Sequence, residues 1–155
     1  MLPYKPVMET QSRPETVDLL QKALIMEIED VFLYLREAQL FRRKLVAGER
    51  LAQAFVEFAL NEMRHVDLLV GYLARLGQVL APEFTVPPAS RSLRRTLAFH
   101  EEREVDACAL YSRLISLDEE RSEHWGVFDA IREEEETHLA RIRRVLRHLR
   151  FGQPA

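Results

Sequence analysis

Two short stretches each place a glutamate and a histidine three residues apart, Glu62-Met63-Arg64-His65 and Glu135-Glu136-Thr137-His138. On a helix, positions i and i+3 share a face, so both side chains of such a pair can reach one cation. Carboxylate oxygen combined with imidazole nitrogen suits iron, manganese or zinc better than calcium or a soft thiolate metal. Glutamate makes up 19 of the 155 residues and histidine five, so either pair alone reads as an ordinary solvated helix face. The run Glu133 to Glu136 also makes a glutamate three before His138 hard to avoid. Register separates the two readings.

Four windows, at about 13–47, 49–77, 92–116 and 118–150, carry apolar residues at helical spacing, and no period-2 strand of useful length competes with them. Ser12-Arg13-Pro14-Glu15 is a capping box for the first, and Gly77 is a C-terminal stop for the second. Pro82, Pro87 and Pro88 exclude a helix between the second and third windows. Long helices in one small domain bury their apolar stripes by packing lengthwise, which predicts an all-α antiparallel four-helix bundle over residues 1–155. Extended, residues 78–89 reach about 40 Å, enough to follow a whole helix. A long crossover between helices 2 and 3 is therefore expected.

Stepping each helix by four and three gives the seam that faces the bundle centre. The first seam contains Glu27 and Tyr34, the second Glu62 and His65, the third Glu101, Glu104, Cys108 and Tyr111, and the fourth Glu135 and His138. Every seam is apolar at its ends. Several buried carboxylates at one level need a compensating cation, and no arginine or lysine occupies the central seam levels. That raises the metal reading above a metal-free interaction bundle, which would need such arginines. The chain also echoes itself. EIEDVFLY from Glu27 matches EVDACALY from Glu104 at a spacing of 77, and the Glu-x-x-His pairs recur at 73. Two helical hairpins, each with one lone glutamate and one Glu-x-x-His, result.

Net charge is −3, with acid and base interspersed, so nothing directs the chain to nucleic acid or an anionic membrane. No apolar run is long enough to span a bilayer, and the start lacks a signal-peptide apolar region. The single cysteine, Cys108, allows no internal disulfide and reads as a small buried apolar residue. A cytoplasmic location is the expectation. His100, His124 and His148 do not share the central seam level and are expected at the surface or at helix ends.

The pattern resembles the ferritin-like di-iron carboxylate proteins, bacterioferritins first and rubrerythrins next, over about residues 15–149. NEMRHVDLLVGYLARLG is similar to the bacterioferritin second helix, REEEETHLARI to the fourth and EIEDVFLYLREA to the first. The resemblance implies that Glu62 and Glu135 bridge two metals, Glu27 and His65 completing one shell and Glu104 and His138 the other. Glu101 is the alternative helix 3 ligand or an extra carboxylate. Tyr34 and Tyr111 would be hydrogen-bond partners of the ligands, redox-active phenols or plain core aromatics. Met63 sits where bacterioferritins place a haem-ligating methionine. An interface methionine outside the bundle core is the preferred reading, with haem the alternative. Two irons are the implied cofactor, and manganese accepts the same donors. The implied activity is oxidation of Fe(II) by dioxygen or peroxide, of ferroxidase or rubrerythrin-like peroxidase type, with an electron donor as partner in the second case. Hydroxylation of an organic substrate is the alternative. No cysteine-rich tail follows, and only 17 residues lie beyond His138, so a rubredoxin-type domain and a fifth helix are not expected. Self-association, at least to a dimer, is implied along helices 1 and 2.

Overall fold

The computed structural model describes residues 14–45, 48–117 and 123–151. They form four helices, α1 (Pro14–Lys44), α2 (Glu49–Arg75), α3 (Leu93–Leu117) and α4 (Glu123–Phe151), and no strand occurs among the described residues. Ser12 and Arg13 of the expected capping box, and residues 118–122 at the expected start of the fourth helix, lie outside the described residues. Glu15 in the first turn of α1 and Arg42, Arg43 and Lys44 in its last turn complement the helix dipole. After α2 the chain turns at Gly77, whose φ of 70° favours glycine. There Gly77 N–H bonds Ala74 O and Gln78 N–H bonds Leu73 O, both at 3.0 Å, which satisfies the last carbonyls of the helix. Gly48, in the tight turn before α2, has no room for a side chain: a Cβ there would sit 2.2 Å from Phe41 O.

α1 packs chiefly on α2, and α3 on α4, so the molecule is two helical hairpins set face to face. The core divides into two apolar clusters. One joins Tyr34, Ala38 and Phe41 of α1 to Phe55 and Phe58 of α2, Leu97 of α3, and Ile142 and Leu146 of α4. The other joins Leu20, Ala23 and Leu24 to Leu69 and Leu73, Tyr111 and Leu114, and Phe128 and Ile131. The first cluster thus takes the starts of α2 and α3 and the ends of α1 and α4; the second takes the reverse. The end of α2 and the start of α3 therefore belong to opposite ends of the bundle. Between them, Phe84 stacks on Phe32 of α1 at 5.4 Å, and Arg36 donates to Pro87 O. No helix among the described residues is long and apolar enough to cross a membrane.

The buried stripe of α3 departs from the expected seam. It runs through Thr96, Leu97, His100, Glu104, Ala107, Tyr111 and Leu114. His100, expected at the surface, is fully buried, stacked on Tyr34 with ring centroids 4.7 Å apart. Glu101 instead turns outward and accepts from Arg143 at 2.8 Å. Cys108 is only half-buried, at the margin of the stripe, where burial pushes its thiol up to about 11. Its expected place in the core is therefore incorrect. His148 is exposed, as expected, and its Nδ1 lies 2.7 Å from Arg144 O. Met63 lies outside the bundle core, 53% exposed.

Candidate metal centre

The level between the two apolar clusters is polar. Glu27 comes from α1, Glu62 and His65 from α2, Glu104 from α3, and Glu135 and His138 from α4, and none is more than 3% exposed. Each helix contributes because its apolar stripe holds the flanking turns in place: Leu24, Phe58, Leu69, Tyr111, Ile131 and Ile142 all lie one turn or two from a polar residue. Tight packing above and below gives the polar side chains little freedom to reach solvent.

Their geometry falls into two halves. His65 Nδ1 lies 2.9 Å from Glu62 Oε2, 3.0 Å from Glu135 Oε1 and 3.3 Å from Glu27 Oε2. His138 Nδ1 lies 3.1 Å from Glu62 Oε1, 3.4 Å from Glu135 Oε2 and 3.8 Å from Glu104 Oε2. Glu62 and Glu135 each give one oxygen to either half, whereas Glu27 serves only the first and Glu104 only the second. Two groups of donors result, Glu27, Glu62, His65 and Glu135, and Glu62, Glu104, Glu135 and His138, with the donor atoms of each within 4.8 Å of one another.

Of these six contacts only that between His65 Nδ1 and Glu27 Oε2 is a hydrogen bond. Both oxygens of Glu62, Oε2 of Glu104, Oε1 of Glu135 and Nδ1 of His138 are buried without a hydrogen-bond partner. Buried polar atoms of native proteins are almost always partnered, so five such atoms converging on one level form a donor set that could hold a metal ion. Among the described residues no arginine or lysine pairs with Glu27, Glu62, Glu104 or Glu135. The donor set, four carboxylates and two imidazoles, fits two divalent first-row transition ions with one histidine each.

Burial and close neighbours also shift the protonation of this level. Burial pushes the carboxyls of Glu27 and Glu104 well above the usual range, and Glu135 beside Glu104 adds to it. Burial also opposes a charge on Glu135, but His138 and His65 beside it win and bring it down to about 2. Burial likewise opposes the imidazoliums. Even so, Glu135, Glu27 and Glu62 hold His65 protonated far above its ordinary value, and Glu135 and Glu62 hold His138 up to about 9.

Of the residues singled out in the sequence, Glu27, Glu62, His65, Glu104, Glu135 and His138 come together, and Glu101 does not. Tyr111 donates its phenolic hydrogen to Glu27 Oε1, whereas the Tyr34 hydroxyl is buried without a partner. Sequence reasoning missed two further contacts. Glu134 Oε2 lies 3.0 Å from His65 Nε2 and also pairs with Arg64. Asn61 lies 3.0 Å from His138 Nε2 through its carboxamide. Each immediately precedes the glutamate of the opposite Glu-x-x-His, so the two are themselves 73 residues apart, and that repeat is the signal that could have found them. It also missed the buried Asp30 and Glu37, which are neutralised off the seam by Arg103 and Arg36. No known protein-family model matches the sequence, and no curated protein matches it.

Proposed function

We propose that this bundle binds two iron ions at the level of Glu27, Glu62, His65, Glu104, Glu135 and His138 and uses them to reduce dioxygen or peroxide. The reading rests on one observation above the rest: Glu62 and Glu135 each offer an oxygen to both histidines, and most of the converging atoms lack any hydrogen-bond partner. Glu62 and Glu135 would bridge the ions, with Glu27 and His65 completing one shell and Glu104 and His138 the other. Two ferrous ions, when bound by these residues, would supply the two electrons needed to turn one peroxide and two protons into two waters. Manganese would be held by the same donors.

The chain's own residues bind, orient and insulate. Four carboxylates cancel the charge of two divalent ions, so the filled level carries no excess buried charge. Tyr111 fixes Glu27 through one oxygen and leaves the other facing His65. Phe55, Phe58, Leu69 and Ile131 pack the level from both ends and keep bulk water out. Release of oxidised iron would make the activity that of a ferroxidase, and re-reduction in place by an external donor that of a peroxidase. The resemblance to bacterioferritins and rubrerythrins supports both. Exposed Phe32, Leu35, Leu60 and Met63 on the outer side of the first hairpin support self-association there.

The test is metal content after anaerobic loading with Fe(II), in the native chain and in Glu135→Ala, followed by the optical change as air or peroxide is admitted. Near two irons per native chain, an oxidation-dependent absorption change, and loss of most iron in the variant are expected. No iron in the native chain would refute the reading. Relative rates with dioxygen and peroxide then separate ferroxidase from peroxidase.

A further inference from the structure

The two halves of the centre are related by the internal repeat, but what stands behind them is not the same. His65 Nε2 faces the carboxylate of Glu134 at 3.0 Å, whereas His138 Nε2 faces the neutral amide of Asn61 at 3.0 Å. Arg64 reaches both partners, pairing with Glu134 and lying 3.5 Å from Asn61 Oδ1. Behind the remaining ligands the same asymmetry recurs. Tyr111 anchors Glu27 by a hydrogen bond, while Tyr34, its counterpart in the repeat, stacks on His100 and leaves Glu104 Oε2 without a partner. His100 has no equivalent in the first hairpin, where the residue 77 positions earlier is Ala23.

A carboxylate can only accept. Glu134 therefore holds the Nε2–H form of His65 and presents the Nδ1 lone pair to the centre. Arg64 donates to Asn61 Oδ1, which turns Nδ2 toward His138 Nε2; a donor there favours the Nδ1–H tautomer of His138 and so works against the Nδ1 lone pair that a metal needs. The carboxylate also adds basicity to its imidazole, which a neutral amide does not. The geometry points to two unequal metal positions: a tight one at Glu27 and His65, set by Glu134, and a weaker, exchangeable one at Glu104 and His138, left loose by Asn61. Glu134 and Asn61 are positioning residues, since each acts on the metal through a histidine. This inference rests on the metal reading above. Its functional consequence is that the centre fills in order, and the ion that comes and goes is the one on the α3 side.

Anaerobic titration of the intact chain with Co(II), followed by its visible absorption and by competition with a chelator, tests the inference without any turnover. Two steps are expected, the first tighter by about 10–100-fold. Glu134→Gln should weaken the first step and leave the second, merging the two. Asn61→Asp should tighten the second step and leave the first, a gain that a merely structural role for Asn61 would not produce. Far-ultraviolet circular dichroism of both variants confirms the fold. Two equivalents bound with equal affinity in the native chain, or two steps that neither variant moves, would overturn the inference while leaving the metal centre standing. No bound Co(II) would overturn both.

Discussion

At the scale of single residues, the proposed centre would set protons and metal in competition for one set of donors. Metal ligands must be deprotonated at the ligating atom, so a histidine held protonated by neighbouring carboxylates resists loading until its proton is displaced. His138 is held up to about 9 by Glu135 and Glu62 despite its burial, and His65 is raised still further by Glu135, Glu27 and Glu62. At pH 7 the metal-free level therefore keeps both imidazoles charged, and binding must release protons. Metal affinity should rise with pH from about 6.5 to 9, by about tenfold per unit for each proton displaced. Proton release measured in weakly buffered solution during Co(II) addition checks this, and an affinity flat across that range would contradict it. The six donors were legible in the sequence because a carboxylate in an apolar seam is costly wherever it sits, and such a residue stands out against leucine and phenylalanine. Glu134 and Asn61 were not, because each lies beside the seam on a helix surface, where polar residues carry no penalty and only their 73-residue spacing marks them.

The four helices place those donors only if their registers agree, and α3 shows how narrow that requirement is. Two stripes share Leu97, Glu104 and Tyr111; one adds Glu101, Cys108 and Ile115, and the other His100, Ala107 and Leu114. Sequence spacing could not choose between them, since both are valid helical faces and each includes one polar residue besides Glu104. Packing decides. Arg103 donates to Asp30 of α1 through Nε at 2.6 Å and through Nη2 at 3.0 Å, and also reaches Glu29 at 3.1 Å and Met26 O at 3.2 Å. Arg143 of α4 holds Glu101 outward at 2.8 Å. These contacts fix the rotation of α3 about its axis, turning His100 and Glu104 inward together. Asp30 is 7% exposed, and burial raises its carboxyl to about 7 despite Arg103, so losing the guanidinium strands a buried acid. Arg103→Ala should cost about 2–3 kcal/mol, less than a fully buried pair because Arg103 keeps some solvent. Asp30→Leu combined with Arg103→Met should recover most of it. Urea unfolding of the three chains measures both, and a single-variant loss below about 0.5 kcal/mol would mean that register is set elsewhere.

For the molecule as a whole, the centre is also a fastener between hairpins. Packing is heavy within each hairpin and thinner between them, and the six donors divide evenly: Glu27, Glu62 and His65 from one, Glu104, Glu135 and His138 from the other. In the metal-free chain the charged histidines supply that link. His138 has a folded value of about 9 against 6.5 for a free side chain, so its contribution is complete below pH 6.5 and disappears as pH rises through 9. The raised carboxyls of Glu27 and Glu104 act in the same direction, since a proton bound only in the folded state stabilises less as the pH goes up. Glu135, lowered to about 2, contributes above pH 4.5 and is lost only in strong acid, so it does not bear on the neutral range. Stability of the metal-free chain should therefore fall between pH 6.5 and 9. Metal at the proposed centre would follow the opposite course, because deprotonated ligands bind it more tightly, and a hundredfold excess over the dissociation constant would add about 2.7 kcal/mol for each site. The gap in melting temperature between Co(II)-loaded and metal-free protein should widen steadily across that interval. Thermal melts at pH 6.5, 7.5 and 9, with and without Co(II), measure it directly. A constant gap would mean that protons and metal do not exchange for one another at this level, and that the hairpins are held together by their apolar clusters alone.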